Sequence, residues 1–185
     1  MIEDSLTEAR TKMGKAVDAA KEDFAAVRTG RANPSLFSSL LVDYYGAPTP
    51  LQQLASFQNP EARTLLITPY DKSALNEIEK ALRNSDLGAN PANDGNVIRV
   101  VMPELTEERR RDYVKIVHSK AEDGRISVRS IRRTAKEAIE KLVKDGEIGE
   151  DEGKRAEKEL DALTKKASEQ IDTAAKNKEA ELLKV

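Results

Sequence analysis

Three separate stretches of the chain repeat small or apolar residues at alternating steps of three and four, and this pattern restricts the fold more than any other feature. The first runs Ile2, Leu6, Ala9, Met13, Ala16, Ala20, Phe24 and Val27. The second runs Val114, Val117, Ala121, Gly124, Val128, Ile131, Ala135, Ala138 and Leu142. The third runs Ala156, Leu160, Leu163, Ala167, Ile171, Ala174 and Leu182, and its pattern loosens after Ala167. Each reads as a long amphipathic helix with a narrow apolar seam. No helix buries its own seam, so the three must pack on one another as an antiparallel, coiled-coil-like bundle. Arg28 in the last turn, Gly30 just beyond it and Pro34 soon after mark the expected stop of the first helix. Ser5 and Glu8 fit a capping box near its start, although the seam already begins at Ile2. For the second helix, Thr106 is the expected N-cap, Glu107 and Glu108 favour its first turn, and Lys141, Lys144 and Gly146 mark its end. A helix of about 38 residues there would span roughly 57 Å at about 1.5 Å per residue.

Between the first seam and the second the periodicity changes. Leu40, Val42 and Tyr44 alternate as a strand; Leu51 to Phe57, Thr64 to Thr68 and Val97 to Met102 read as further strands, separated by Pro48, Pro50, Pro60, Pro69 and the Asn93-Asp94-Gly95 turn. Leu75, Ile78 and Leu82 mark one helix that ends before Gly88. The expected fold is therefore α+β and mainly α. Residues 1–30 and 105–185 form a discontinuous three-helix domain, and 31–104 form a small inserted β/α/β domain. The chain crosses between the two parts twice, and Thr29, Gly30, Arg31, Pro103, Glu104 and Leu105 are the candidate hinge.

Composition narrows the function. The 185 residues include no Cys and one His, which removes a disulfide framework, a thiol nucleophile and a clustered soft-metal site. Charged residues make up 35% against 4% aromatic, the balance of exposed long helices. Ile2, Glu3 and Asp4 near the start, where a signal or transit segment would be basic or hydrophobic and avoid acids, and the lack of a long apolar run predict a cytoplasmic protein with no membrane contact. A net charge of -2 hides an uneven distribution. Residues 105–144 hold twelve Lys/Arg against seven Asp/Glu, a net +5, and residues 145–185 hold eight against twelve, a net -4.

On the second long helix Arg125, Arg129, Arg132, Arg133 and Lys136 share one broad stripe beside the seam, and no carboxylate lies between Asp123 and Glu137. Arginine grips phosphate bidentately and stacks on bases, so this ridge points to RNA. The alternative is a solvated face paired with acids of neighbouring helices. A second basic segment, Arg28-Thr29-Gly30-Arg31-Ala32-Asn33-Pro34, joins the first helix to the insertion; it is not a nucleotide-binding loop. Arg109, Arg110 and Arg111 follow two glutamates and read as mixed surface, and His118 as an ordinary surface residue. Glu150, Asp151 and Glu152 read as compensation of a helix dipole, not as a metal site. Tyr44 and Tyr45 are either partner-facing or strand residues on opposite faces.

Several segments, in this order, resemble the bacterial ribosome recycling factor family: Arg28 to Pro34, Asp43-Tyr-Tyr-Gly46, Thr49 to Ala55, Asn84 to Gly88, Leu105 to Arg110 and Val128 to Arg133. The resemblance spans the whole chain. It implies a two-domain L shape that binds the large ribosomal subunit after termination and, with elongation factor G and GTP, splits the ribosome into subunits. GTP would be used by that partner, leaving this chain without a cofactor or catalytic residue. The resemblance also implies contact with 23S ribosomal RNA at Arg28, Arg31, Arg129, Arg132 and Arg133, action as a monomer, and rotation of the smaller domain. It departs at Ser130, where Asn is expected. Two other classes remain. A coiled-coil adaptor explains the seams but not the insertion, and an enzyme would need a nucleophile and base that the sequence does not supply.

Overall fold

The computed structural model describes residues 1–184. Its helices and strands, in chain order, are α1 (Ile2–Ala25), β1 (Leu41–Tyr44), β2 (Ala47–Pro50), β3 (Ala55–Glu61), β4 (Thr64–Pro69), α2 (Leu75–Arg83), β5 (Asn90–Asn93), β6 (Ile98–Val101), α3 (Glu107–Lys144) and α4 (Glu150–Leu183). They divide into two compact units: Met1–Phe24 with the chain from Val114 onward, and Ala25–Tyr113.

The first unit is the bundle. Leu6, Ala9, Met13, Val17, Ala20 and Phe24 of α1 are buried, with Val117, Ala121, Gly124, Val128, Ala135 and Ile139 of α3 and Ala156, Leu160, Ala167, Ile171, Ala175 and Leu182 of α4. The three helices meet at Gly124, where an added Cβ would lie 3.1 Å from Ile171 Cδ1 and 3.4 Å from Ala20 Cβ. A side chain there would fit only if Ile171 gave way by a few tenths of an ångström. Val17, Ile139 and Ala175 join the core, which the spacing did not single out, while Ala16, Leu142 and Ala174 are only half-buried. The cause is drift: 3.6 residues per turn slowly rotates a 3.5-residue repeat off the seam. Lys178 of α4 is also buried; burial lowers its ammonium pKa, and Glu181, 3.8 Å away, partly offsets this.

The helix ends follow capping chemistry. The Thr106 hydroxyl accepts from the Arg109 amide at 3.1 Å, as an N-cap should. After α3, Glu147 N donates to Leu142 O and Gly146 N to Val143 O, both at 3.0 Å, with Gly146 at φ +73°, a Schellman stop. Gly153 then lets α4 start against α3, since an added Cβ would fall 2.6 Å from Val143 Cγ2. The start of α1 differs from the capping-box reading: the helix begins at Ile2, so Ser5 is interior. Its end differs too, since α1 stops at Ala25, before Arg28.

In the second unit β3, β4, β6 and β5 form an antiparallel sheet in that order, and β1 and β2 form a separate hairpin. Phe37, Leu51, Leu65, Ile67, Ile78, Leu82, Ile98 and Met102 fill one core. Two strands escape the sequence pattern: β2, Ala-Pro-Thr-Pro, and β5, Asn-Pro-Ala-Asn. Both are edge strands, where proline costs no ladder bond. Leu51–Gln53, read as strand, is a 3-10 turn, and β3 begins only at Ala55.

The unit Ala25–Tyr113 is wider than the expected 31–104 on both sides. Its connecting segments are tied inward. Ala32 N donates to Ala62 O at 2.9 Å, Asn59 Nδ2 donates to Ala32 O, and Met102 N donates to Arg63 O at 2.8 Å. Gly30, at φ +85°, faces Leu105, whose Cγ would lie 3.7 Å from an added Cβ.

Candidate nucleic-acid interface

The arginine stripe lies on α3 at the edge of the bundle, and acids surround it. Arg125 contacts Asp172 of α4 at 2.6 Å and Glu122 at 3.0 Å. Glu122 also takes Arg129 at 2.8 Å, and Arg132 reaches Asp161 of α4 at the same distance. Lys136 stands 3.8 Å from Glu140. The expectation of an acid-free ridge is therefore corrected: the gap from Asp123 to Glu137 is real in sequence, but folding brings Asp161 and Asp172 from α4 beside it. Hydrogen bonds from Arg129 and then Arg125 hold the Glu122 carboxyl below its ordinary range. Arg133 is exposed and makes no ion pair among the described residues.

Exposure grades the stripe. The Arg129 side chain is 57% accessible and that of Arg125 only 29%, pinned by two carboxylates. A guanidinium carries five donors, so a surface arginine holding one carboxylate keeps donors for a phosphate. Such pairs hold their partners weakly in water. What the ridge offers is a line of preoriented cations with Arg133 and Arg129 outermost.

The second basic segment separates into two roles. Arg28 turns inward: an Nη2 hydrogen donates to Pro103 O, its Nε is buried without a partner, and burial lowers its pKa. It ties one chain connection to the other, and it remains half-buried. Arg31 is exposed. Thr29 and Gly30 are half-buried, Pro103 and Glu104 exposed and Leu105 buried. His118 sits on the surface 3.2 Å from Glu179, and Arg111 pairs with Glu107 at 2.6 Å.

One cluster was not legible beforehand. Tyr44 closes β1 and donates to Asp71 Oδ2 at 2.8 Å, while Asp71 Oδ1 accepts from the Ser73 hydroxyl and amide. Bonds from Ser73 and Tyr44 hold the Asp71 carboxyl below its ordinary range, and the same carboxylate raises the Tyr44 pKa. Tyr45 is a turn residue, not a strand residue on the opposite face, with φ +51° and its hydroxyl 3.1 Å from Ser73 Oγ. A Tyr-Gly pair at the tip of a two-strand pattern was the available signal.

Among the described residues no helix is long and apolar enough to cross a membrane. A groove of about 270 Å³ between α1 and α3 is lined by Ser130, Ile131, Thr134 and Ala138, with Glu8 and Lys12 paired to each other at 2.6 Å.

A family model described as "Ribosome recycling factor" matches residues 20–183. The chain is 79% identical over 183 residues to the ribosome-recycling factor of Kocuria rhizophila, covering 99% of each. It is 72% identical over 185 residues to that of Renibacterium salmoninarum, covering all of both. A solution structure of a ribosome recycling factor superposes with TM-score 0.82 at 43% identity, covering 100% of this chain and 98% of that one. A second similar structure is a T. thermophilus ribosome recycling factor, described together with E. coli elongation factor G bound to the E. coli post-termination complex. It superposes with TM-score 0.72 at 43% identity and full coverage of both chains.

Proposed function

The chain belongs to the ribosome recycling factor family, and from that premise we propose that it docks on 23S RNA of the large subunit through the outer arginines of α3. It is a translation factor. On this reading it engages the post-termination ribosome as a monomer in the cytoplasm and, with elongation factor G, splits it into subunits. GTP is consumed by that partner, and this chain brings no cofactor and no catalytic group. The observation that carries the reading is the α3 ridge: Arg129, Arg132 and Arg133 follow one helical face, and among the described residues no acid pairs with Arg133. Phosphates satisfy such a ridge with bidentate bonds, and a charge-based contact suits a factor that must leave again. Arg31, exposed in the other unit, is a separate candidate contact, Arg125 contributes mainly by its field, and Arg28 acts by holding the two connections together. Those connections, Thr29–Arg31 and Pro103–Leu105, lie within the Ala25–Tyr113 unit, and on this reading they flex together as the hinge.

A second reading, a solvated face braced by cross-helix ion pairs, is favoured by the Arg125–Asp172 and Arg132–Asp161 contacts. Co-sedimentation with large subunits across a salt series separates the two. RNA docking predicts affinity that falls steeply with salt, and Arg133→Ala should flatten the log–log slope by about one unit. Salt-independent binding, or an Arg133→Ala variant with unchanged affinity and slope, would assign the stripe to the bracing role.

A further inference from the structure

Tyr45 is the only non-glycine residue at positive φ among the described residues, at +51°, and Gly46 follows at +81°. Two consecutive left-handed residues closing the Tyr44–Ala47 pair make a type I′ turn, whose first central position suits Asn, Asp or Gly. An aromatic residue there is held against its backbone preference. Little inside the unit compensates. The ring is 81% exposed, so burial does not explain it, and the hydroxyl's one bond, to Ser73, lies on the surface. The turn is anchored without it, because Tyr44 binds Asp71 and the Asp43 carboxylate accepts the Gly46 amide at 2.9 Å.

The ring has two neighbours. It meets Tyr44 edge to face, with centroids 4.6 Å apart and planes at 73°, and its hydroxyl meets Ser73, which leaves an aromatic surface turned towards solvent. Charge then selects what that surface takes. Asp43 binds the amide of the next residue, Gly46, and Asp71 binds both Tyr44 and Ser73, the two side chains that Tyr45 touches; in residues 41–47 and 71–73 Lys72 is the one cation. A platform for nucleic-acid bases needs cations to hold the phosphates, which these carboxylates would repel. A guanidinium or ammonium group is attracted both by the ring face and by the acids. We propose that Tyr45 is a preorganised docking point for an arginine or lysine side chain of a protein partner, and that this partner is elongation factor G. The choice of partner rests on the function proposed above; the chemistry of the contact rests on the turn alone.

The test compares full-length Tyr45→Asn, Tyr45→Phe and the unaltered chain in three measurements: thermal stability, binding to large subunits without the elongation factor, and ribosome splitting by light scattering as elongation factor G is titrated. Asn relieves the backbone, so Tm should hold or rise. Subunit binding should be unchanged, while the elongation factor concentration for half-maximal splitting should rise about tenfold. Tyr45→Phe keeps the ring and should behave as the unaltered chain. A Tyr45→Asn variant that folds and shows unaltered dependence on elongation factor G overturns the docking role. Loss of subunit binding without the elongation factor overturns it differently, by assigning the ring to the ribosome itself. An unaltered chain that splits nothing with elongation factor G would instead sink the partnership, and this proposal with it.

Discussion

Along the bundle, small residues such as Ala9, Ala20, Ala121, Gly124, Ala156 and Ala167 recur between the larger ones, so the burial is spread thinly over three long helices. In the inserted unit Phe37, Leu51, Leu65, Ile67, Ile78, Leu82, Ile98 and Met102 gather in one place. The backbones differ in the same sense. Helices satisfy their own amides, whereas the short strands and connections of the inserted unit lean on side chains: Asn33 accepts from Ser35, Asn59 donates to Ala32 and Thr64, and Asp94 accepts from Asn96 and Val97. One region is held by a repeated pattern and the other by particular residues. The bundle should therefore tolerate small changes of shape but not of polarity, while the inserted unit should be sensitive to single hydrogen-bonding side chains.

The harshest trial of that contrast is a charge placed in the seam. Val128 is fully buried in α3, and Val128→Asp would leave a carboxylate without a partner among apolar neighbours. Denaturant unfolding should show a loss of about 3–5 kcal/mol, with helical signal lost along with it. A loss under about 1 kcal/mol would mean that this face of α3 does not carry the bundle.

The same contrast decides what was readable from the amino-acid order. The long helices were, because a seam repeated over many turns outweighs any local exception; what was misjudged is where α1 ends, at Ala25 and not near Arg28, and a few seam positions such as Val17 and Ile139. Strand β5 was not, since Asn-Pro-Ala-Asn has loop composition and becomes a strand only by pairing with β6 from Ile98 to Val101. The candidate site divides in the same way. That Arg125, Arg129, Arg132 and Arg133 share a face follows from helix geometry, but Asp161 and Asp172 lie some thirty to fifty positions along the chain and come near only through packing. The bond from Arg28 to Pro103 O was hidden for a similar reason: nothing local in the sequence brings the two together.

A finer trial targets the inserted unit. Asn59→Ala removes the donor that holds Ala32 O and Thr64 O and should cost about 1–2 kcal/mol. Its signature is local. Hydrogen exchange should speed at the Ala32 and Met102 amides, which bond to the β3–β4 turn, and stay unchanged in the middle of α3 and α4. Uniform acceleration in both units would erase the distinction drawn between them.

The smallest effect on stability is the most informative about the ridge. Arg132 holds Asp161 at 2.8 Å, with the two side chains 37% and 57% accessible, so the pair is a surface contact and Asp161→Asn should cost at most about 0.5 kcal/mol. Its effect on binding carries the opposite sign. If Asp161 competes with phosphate for the guanidinium, removing its charge frees Arg132 and takes away a repulsion, so large-subunit affinity should rise several-fold at low salt and converge with the unaltered chain as salt increases. If instead the pair braces Arg132 in the orientation that phosphate needs, the same substitution weakens binding. Arg132→Ala lowers affinity in both cases and cannot separate them. Only the double substitution does: with competition, Asp161→Asn in the Arg132→Ala background keeps just its long-range part, a gain smaller than in the unaltered chain, and with bracing it no longer weakens binding. A gain of equal size in both backgrounds would place the Asp161 effect in the general field of the helix and leave Arg132 with no special partner.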